Sequence, residues 1–266
     1  MSDHPSAPES RPERWIDLEG VVNMRDSGGL PTRDGGAIQP HRLLRSDNLQ
    51  DLSPADVRQV VDVLGVSDIV DLRSDTEVNT EGPGPLWQIE SLTHHHHSLF
   101  GDGRSVTAQQ ALAMPAHSTR PVRDAQFWSD HYLGYLAARP DSISAALDVV
   151  ARSSGATVVH CAAGKDRTGT VVALALDAAG VHHDVIVEDY ALTGQRIEQI
   201  IARLMPRDLY GNALRHQSLD DQRPRPETMR TILETVRSEF GGAEGWLREQ
   251  GWSDADVERL RARLTT

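Results

Sequence analysis

Ala156-Thr157-Val158-Val159 is a short β-branched run, and Val171-Val172-Ala173-Leu174-Ala175-Leu176 is apolar on every side. The first reads as a buried strand and the second as a buried helix, with Gly180 as its C-terminal stop. The segment is therefore strand, tight loop, helix. A second unit points the same way. Ser53, Pro54 and Asp56 form a helix start, with a capping serine, proline at the first helical position and a carboxylate three residues after the cap. Val57, Val60, Val61 and Leu64 then fall on one face, Gly65 ends the helix, and Val66 to Asp71 reads as a strand. The two units together predict parallel α/β packing. Ligands in such sheets bind beyond the carboxyl ends of the strands, where Asp71, Arg73 and Cys161 all fall.

The loop in the first unit is His160-Cys161-Ala162-Ala163-Gly164-Lys165-Asp166-Arg167-Thr168-Gly169, and it holds the chain's only cysteine. From Ala162 to Arg167 it can turn successive backbone N–H groups into one concavity, to which the helix N-terminus adds partial positive charge. That is an anion site of phosphate size. A thiol set there is favoured as its thiolate. Arg167 adds a planar fork able to hold two phosphoryl oxygens at once. A thiolate beneath a bound phosphate, with a fixed cation beside it, is the equipment for nucleophilic phosphoryl transfer.

His-Cys, five residues, then Arg-Thr-Gly resembles the signature of the cysteine-based protein tyrosine phosphatases. The fuller string, with Lys165-Asp166 inside the loop, resembles the atypical bacterial tyrosine/serine/phosphoinositide phosphatases of the PtpB type. Asn23-Met24-Arg25-Asp26, Leu43-Leu44-Arg45-Ser46 and Asp71-Leu72-Arg73-Ser74 match the same family, and the resemblance covers most of residues 15–266. It implies a protein-tyrosine-phosphatase-like α/β fold with a mostly parallel central sheet flanked by helices and extra C-terminal helices. It also implies a metal-independent phosphatase without a cofactor, in which Cys161 attacks phosphorus to give a cysteinyl-phosphate. Arg167 and the N–H groups of Ala162, Ala163, Gly164, Lys165 and Asp166 would hold the equatorial oxygens. Thr168 would hydrogen-bond the sulfur and His160 would fix the cysteine. Lys165 would add a second cation, or pair with Asp166 and shape the loop. Arg25, Asp26 and Arg45 are expected in structural ion pairs, and Asp71 or Arg73 as a buttress of the loop or a surface pair.

Cleavage of a phosphate ester needs a protonated group at the leaving oxygen, and a mobile loop can deliver it. Asp102, flanked by glycines, is the expected acid, because the family's acid is an aspartate just after the corresponding strand. Asp75 and Asp166 compete for that role, and a plain turn role for Asp102 stays open. The run His94-His95-His96-His97 cannot turn all its side chains to one metal from a strand. It reads as a polar wall of the active site or as a solvated stretch, after a strand from Leu86 to Leu92.

Residues 1–14 read as a disordered tail, 15–266 as a single phosphatase domain, and 103–123 as a lid or flexible insert. Phe127, Trp128, Tyr132, Leu133 and Leu136 share a helical face and read as core, as do Ile143, Leu147 and Val150 beyond Arg139-Pro140-Asp141. Pro206 to Pro226 reads as a polar connector. Met229 to Phe240 reads as a long amphipathic helix stopped by Gly241-Gly242, and Ser253 caps a last helix through Leu264.

A net charge of −12 argues against a nucleic-acid binder or a polybasic membrane-surface protein. There is no run of 18 apolar residues and no signal-like N-terminal segment, so no stable membrane insertion is expected. The reactive thiolate favours the cytoplasm, with export without a signal peptide left open. Expected partners are phosphorylated protein or phosphoinositide substrates, with phosphotyrosine foremost and phosphoserine and phosphothreonine also in range. Two other readings fit the loop: a non-catalytic phosphate-binding module, and a phosphatase confined to lipid or inositol phosphates. A sulfur-transfer enzyme of rhodanese type also uses a loop cysteine, but Arg-Thr-Gly leading into the helix favours phosphoryl transfer.

Overall fold

The computed structural model describes residues 14–100 and 123–266. Residues 1–13 and 101–122 lie outside the described residues, and with them Asp102, nearly all of the expected tail and nearly all of the expected insert. At the near edge of the tail, Arg14 donates to the Asp189 carboxylate at 2.8 Å.

Five strands form one sheet: β1 (Arg25–Asp26), β2 (Leu43–Ser46), β3 (Val66–Asp71), β4 (Thr93–His96) and β5 (Ala156–His160), in the order β1-β2-β5-β3-β4. Only the β1–β2 pair is antiparallel. The pleat divides the apolar residues between two cores. Leu43, Val70 and Val159 face one cluster, while Leu44, Ile69 and Val158 face the other. β5 is buried at every position, as a central parallel strand must be.

Helix α1 (Pro54–Arg58) starts on the expected capping box of Ser53 and Asp56 and runs on as a π-turn over Gln59–Val63. Gly65 stops it with φ of 63°. Helix α2 (Asp75–Glu81) starts on a second capping box, Ser74 with Glu77. The expected strand at Leu86–Leu92 is not one. Gly84 and Pro85 open a short 3₁₀ turn, Pro85–Gln88, and the edge strand is the histidine run itself. The histidines are tied to their neighbours: His95 Nε2 lies 2.8 Å from Asp68, His96 Nε2 2.7 Å from the Arg73 carbonyl, and His94 Nε2 3.1 Å from the Leu86 carbonyl. The run is thus a partly exposed sheet edge, bonded to its neighbours.

Helices α3 (Ala125–Ala138) and α4 (Pro140–Arg152) break at Arg139-Pro140 as expected. Helix α5 (Asp166–Ala178) follows the cysteine loop and is buried from Arg167 onward. Then come α6 (His183–Leu192) and α7 (Ile197–Leu204). The stretch expected as a polar connector instead folds into α8 (Asp208–Leu214) and α9 (Leu219–Gln222), the latter started by a capping box of Ser218 and Asp221. Tyr210 and Leu214 of α8 pack with Ile197, Ile200 and Leu204 of α7, apolar contacts that a polar average over the stretch conceals. Helices α10 (Pro226–Phe240), α11 (Ala243–Glu249) and α12 (Asp254–Leu264) complete the chain. Among the described residues no helix is long and apolar enough to cross a membrane.

Candidate active site

Cys161 leaves the carboxyl end of β5, and Asp166 begins α5, so the loop between them is only a few residues long. Gly164 takes φ of 64°, and a Cβ there would collide with the Ser46 carbonyl, so only glycine lets the loop pass the end of β2. The loop carbonyls are anchored outward. Asn48 N donates to Ala162 O at 3.0 Å, Asn23 Nδ2 to Ala163 O at 2.9 Å, and Arg45 Nη2 to Gly164 O at 2.8 Å. In a trans peptide the following N–H points the opposite way, so these anchors turn the N–H groups of Ala163, Gly164 and Lys165 away from them.

The anchors rest on a buried carboxylate. Asp189 accepts from Arg45 Nη1 at 2.8 Å and from Arg25 Nε at 3.2 Å, besides Arg14. Arg25 Nη1 donates to Asn23 Oδ1 at 2.7 Å, which aims the asparagine at the loop. Burial raises the Asp189 carboxyl, but the charges of Arg25, Arg45 and Arg14 outweigh it and hold the group well below the usual range. Arg25 and Arg45 are therefore ion-paired, with Asp189 as the partner. The Asp26 side chain lies outside that cluster; its carboxylate accepts from Gly28 N and His41 N, both at 2.8 Å, and lies 3.9 Å from His41 Nε2.

At the end of β3, Arg73 grips Asp71 through Nε at 2.9 Å and Nη2 at 2.5 Å. Asp71 Oδ2 lies 3.7 Å from His160 Nε2, and His160 Nδ1 faces the Cys161 carbonyl at 3.4 Å. Asp71 and Arg73 thus reach the loop through His160. Burial pushes His160 down to about 4 against the opposing charge of Asp71, so the imidazole is neutral near pH 7.

Arg167 is held by Glu77, which the sequence reading did not single out. Nη1 meets Oε2 at 2.6 Å and Nη2 meets Oε1 at 2.9 Å, and the Phe100 ring lies 4.9 Å from the guanidinium carbon. Burial opposes ionisation of both, but each partner's charge prevails: Glu77 falls below the usual range and Arg167 rises above its own. The available signal was the capping box Ser74-Asp75-Thr76-Glu77, directly after the matched Asp71-Leu72-Arg73-Ser74.

Cys161 and Arg167 open into a cavity walled by Trp128, His131 and Tyr135 of α3, Ile197 and Leu204 of α7, and Tyr210 of α8. Trp128, read as core, is therefore also wall. Lys165 Nζ lies 3.5 Å from Asp166 Oδ1, donates to Gln222 O at 2.8 Å and sits 4.7 Å from the Trp128 ring centre. Asp166 accepts from the Tyr132 hydroxyl, which lies 2.9 Å from that of Tyr190. Thr168 Oγ1 is buried without a hydrogen-bond partner among the described residues, so its expected bond to the sulfur is not formed. Asp75 is exposed beside His96 at 3.6 Å and does not line the cavity. Among the described residues, no group of three or more His, Cys, Asp or Glu side chains is placed to hold a metal ion.

A model of the tyrosine phosphatase family matches residues 16–266. The chain is 30% identical to the triple specificity protein phosphatase PtpB of Mycobacterium tuberculosis, over 93% of this chain and 98% of that one. It is 27% identical to a tyrosine-protein phosphatase of Nostoc commune, over 97% of this chain and 87% of the relative. The solved core catalytic domain of the PP-IP phosphatase Siw14 from S. cerevisiae is more distant, with a TM-score of 0.36 and 15% identity over 74% of this chain and 98% of that one.

Proposed function

This chain belongs to the tyrosine phosphatase family, and on that premise we propose a metal-independent phosphatase that works through a cysteinyl-phosphate at Cys161. The observation that carries the reading is the pairing of Cys161 and Arg167 across one buried loop, with Arg167 fixed by Glu77 at 2.6 and 2.9 Å.

The Cys161 thiolate attacks phosphorus, the P–O bond to the leaving group breaks, and the phosphoryl group passes to sulfur. The N–H groups of the loop and those of Arg167 not bonded to Glu77 or to the Leu72 carbonyl hold the three equatorial oxygens as charge shifts onto them. Asp102, which lies outside the described residues, gives its proton to the leaving oxygen. Water then attacks the cysteinyl-phosphate, the S–P bond breaks, and inorganic phosphate departs. Thr168, whose buried hydroxyl meets no partner among the described residues, donates to the departing sulfur. His160, neutral and set against the Cys161 carbonyl, orients the nucleophile.

The aromatic and aliphatic wall of Trp128, Tyr135, Ile197 and Leu204 supports an aryl leaving group, so phosphotyrosine in proteins is the first substrate. Similarity to a relative named for triple specificity supports a wider range, which we take to include phosphoserine, phosphothreonine and phosphoinositides. A cytoplasmic location suits a thiolate that must stay reduced.

The test is hydrolysis of a phosphotyrosine peptide, a phosphoserine peptide and a phosphoinositide panel, with chelator present and wild type beside Cys161→Ser. Turnover that survives chelation and vanishes in the variant supports the reading. Phosphate binding without turnover on any substrate replaces it with a binding module.

A further inference from the structure

Arg14 falls in the expected tail, just ahead of residues 16–266 that the family model matches. Its side chain is nevertheless only 11% exposed and meets the carboxylate on which the loop anchors rest. Arg14 Nη1 donates to Asp189 Oδ1 at 2.8 Å and to the Asp26 carbonyl at 2.9 Å. The backbone that carries it is held as well. Ile16 N donates to the Met24 carbonyl and Asp26 N to the Arg14 carbonyl, both at 3.0 Å, so residues 14–16 run antiparallel along β1. The Trp15 ring takes the guanidinium of Arg25 at 5.1 Å and that of Arg196 at 4.8 Å.

From Asp189 the bonds reach the loop by two paths. Oδ2 accepts from Arg45 Nη1, and Arg45 Nη2 holds the Gly164 carbonyl, each bond being 2.8 Å long. Oδ1 accepts from Arg25 Nε at 3.2 Å, and Arg25 Nη1 aims Asn23 at the Ala163 carbonyl. Arg14 shares Oδ1 with Arg25 and makes the shorter bond to it. Without Arg14, that oxygen keeps only the longer bond, and the carboxylate can turn together with the two arginines that reach the loop.

We infer that Arg14 is a positioning residue for the phosphate loop, acting through Asp189 on the bonds that turn the loop's N–H groups. Its kinetic consequence rests on the phosphatase reading, while its consequence for anion binding needs only the loop. Three arginines meet the one carboxylate, so the cluster also carries a positive surplus that attracts an anion through space. Salt separates the two effects, because it screens attraction at a distance and leaves bonded geometry in place.

Arg14→Gln in the full chain tests the inference. Inorganic phosphate is titrated by calorimetry into Arg14→Gln/Cys161→Ser and into Cys161→Ser alone, at low salt and at about 0.5 M salt. It should bind about tenfold more weakly without the guanidinium at both salt concentrations. The kcat/KM for a phosphotyrosine peptide should fall at least as far in Arg14→Gln, with thermal unfolding showing each variant folded at the assay temperature. Arg14→Lys keeps a donor for Asp189 and should regain most of the lost phosphate affinity; no gain counts against an effect carried by that bond. Phosphate affinity within twofold in Arg14→Gln overturns the inference and leaves Arg14 a strut of the sheet edge. A loss that vanishes at high salt overturns it too and assigns Arg14 to attraction at a distance. If wild type turns over no phosphomonoester yet phosphate binding still weakens at both salts, the positioning stands and the phosphatase reading fails.

Discussion

Glu77 and Arg167 meet in a buried two-point ion pair, 2.6 Å between Oε2 and Nη1 and 2.9 Å between Oε1 and Nη2, although 90 residues separate them in sequence. Glu77 also accepts from Ser74 N at 2.7 Å, so one carboxylate both starts α2 and aims the phosphate-binding guanidinium. Glu77→Gln should leave Arg167 charged and under-bonded. Breaking a buried pair from one side costs about 3–5 kcal/mol, and a misplaced anion donor costs about 100-fold in kcat/KM. Denaturant unfolding and steady-state kinetics read the two losses. Unchanged kcat/KM would mean that the loop alone holds Arg167.

Cys161 and Arg167 should separate by experiment. Cys161→Ser keeps the loop and its outward-anchored carbonyls, so it should abolish turnover while retaining inorganic phosphate. Arg167→Ala removes the fork and strands Glu77 in the interior, so it should weaken phosphate binding and lower kcat by roughly 100-fold or more. Calorimetric titration of phosphate into both variants gives the comparison. Cys161→Ser that no longer binds phosphate would make the thiol part of the binding surface.

The sheet's centre, the loop and the helix after it were legible in sequence because each depends on local periodicity and on a motif within ten residues. The capping serines Ser53 and Ser253 were legible for the same reason. Glu77 was not, since a capping box explains it completely at short range and nothing in sequence points from it to Arg167. Asp189 drew no role because its three arginines come from distant segments. The histidine strand was missed because histidine has no strong strand preference, and its pairing with β3 is decided by the sheet. The wall formed by Tyr210 lay in a stretch whose average polarity hid the apolar residues that pack on α7.

Stability should fall with pH in two separate windows. His160 titrates at about 4 in the fold against 6.5 ordinarily, because burial disfavours its charged form. Between those values the unfolded chain binds a proton that the fold refuses. The contribution is therefore complete above 6.5 and lost as pH falls towards 4, by roughly 3 kcal/mol. Glu77 and Asp189 are both held below the carboxylate range, so their contributions are present above their unfolded values and are lost only in stronger acid. Urea unfolding at stepped pH should show both limbs, and His160→Gln should flatten the upper one alone. An upper limb that persists in His160→Gln would belong to His131, His97 and His94, which burial also lowers.

The proton donor to the leaving group is testable by pairing Asp102→Asn with Asp166→Asn. A general acid contributes about 100-fold or more, and its loss removes the basic limb of the pH profile. Asp102→Asn should show both effects for a phosphotyrosine peptide and neither for an aryl phosphate whose leaving group departs without a proton. Asp166 lines the cavity and is bonded by Tyr132, so Asp166→Asn should disturb binding without changing the shape of the profile. The reverse pattern would move the acid to Asp166.

Gly164 and Gly180 share a positive φ, 64° and 87°, but differ in what a side chain would meet. At Gly180 a Cβ enters open space, while at Gly164 it collides with the Ser46 carbonyl and the Asp47 amide. Gly180→Ala therefore costs only left-handed strain, on the order of 1 kcal/mol, and ends α5 too far from the loop to alter turnover. Gly164→Ala adds to that strain a forced separation of the loop from β2, which must lengthen the bonds from Asn23 and Arg45 that turn the loop's N–H groups. Phosphate affinity should fall at least tenfold in Gly164→Ala and stay unchanged in Gly180→Ala, with both folds monitored by thermal unfolding. Equal losses of stability with phosphate affinity intact in both would mean that the loop keeps its shape without its contact to the end of β2.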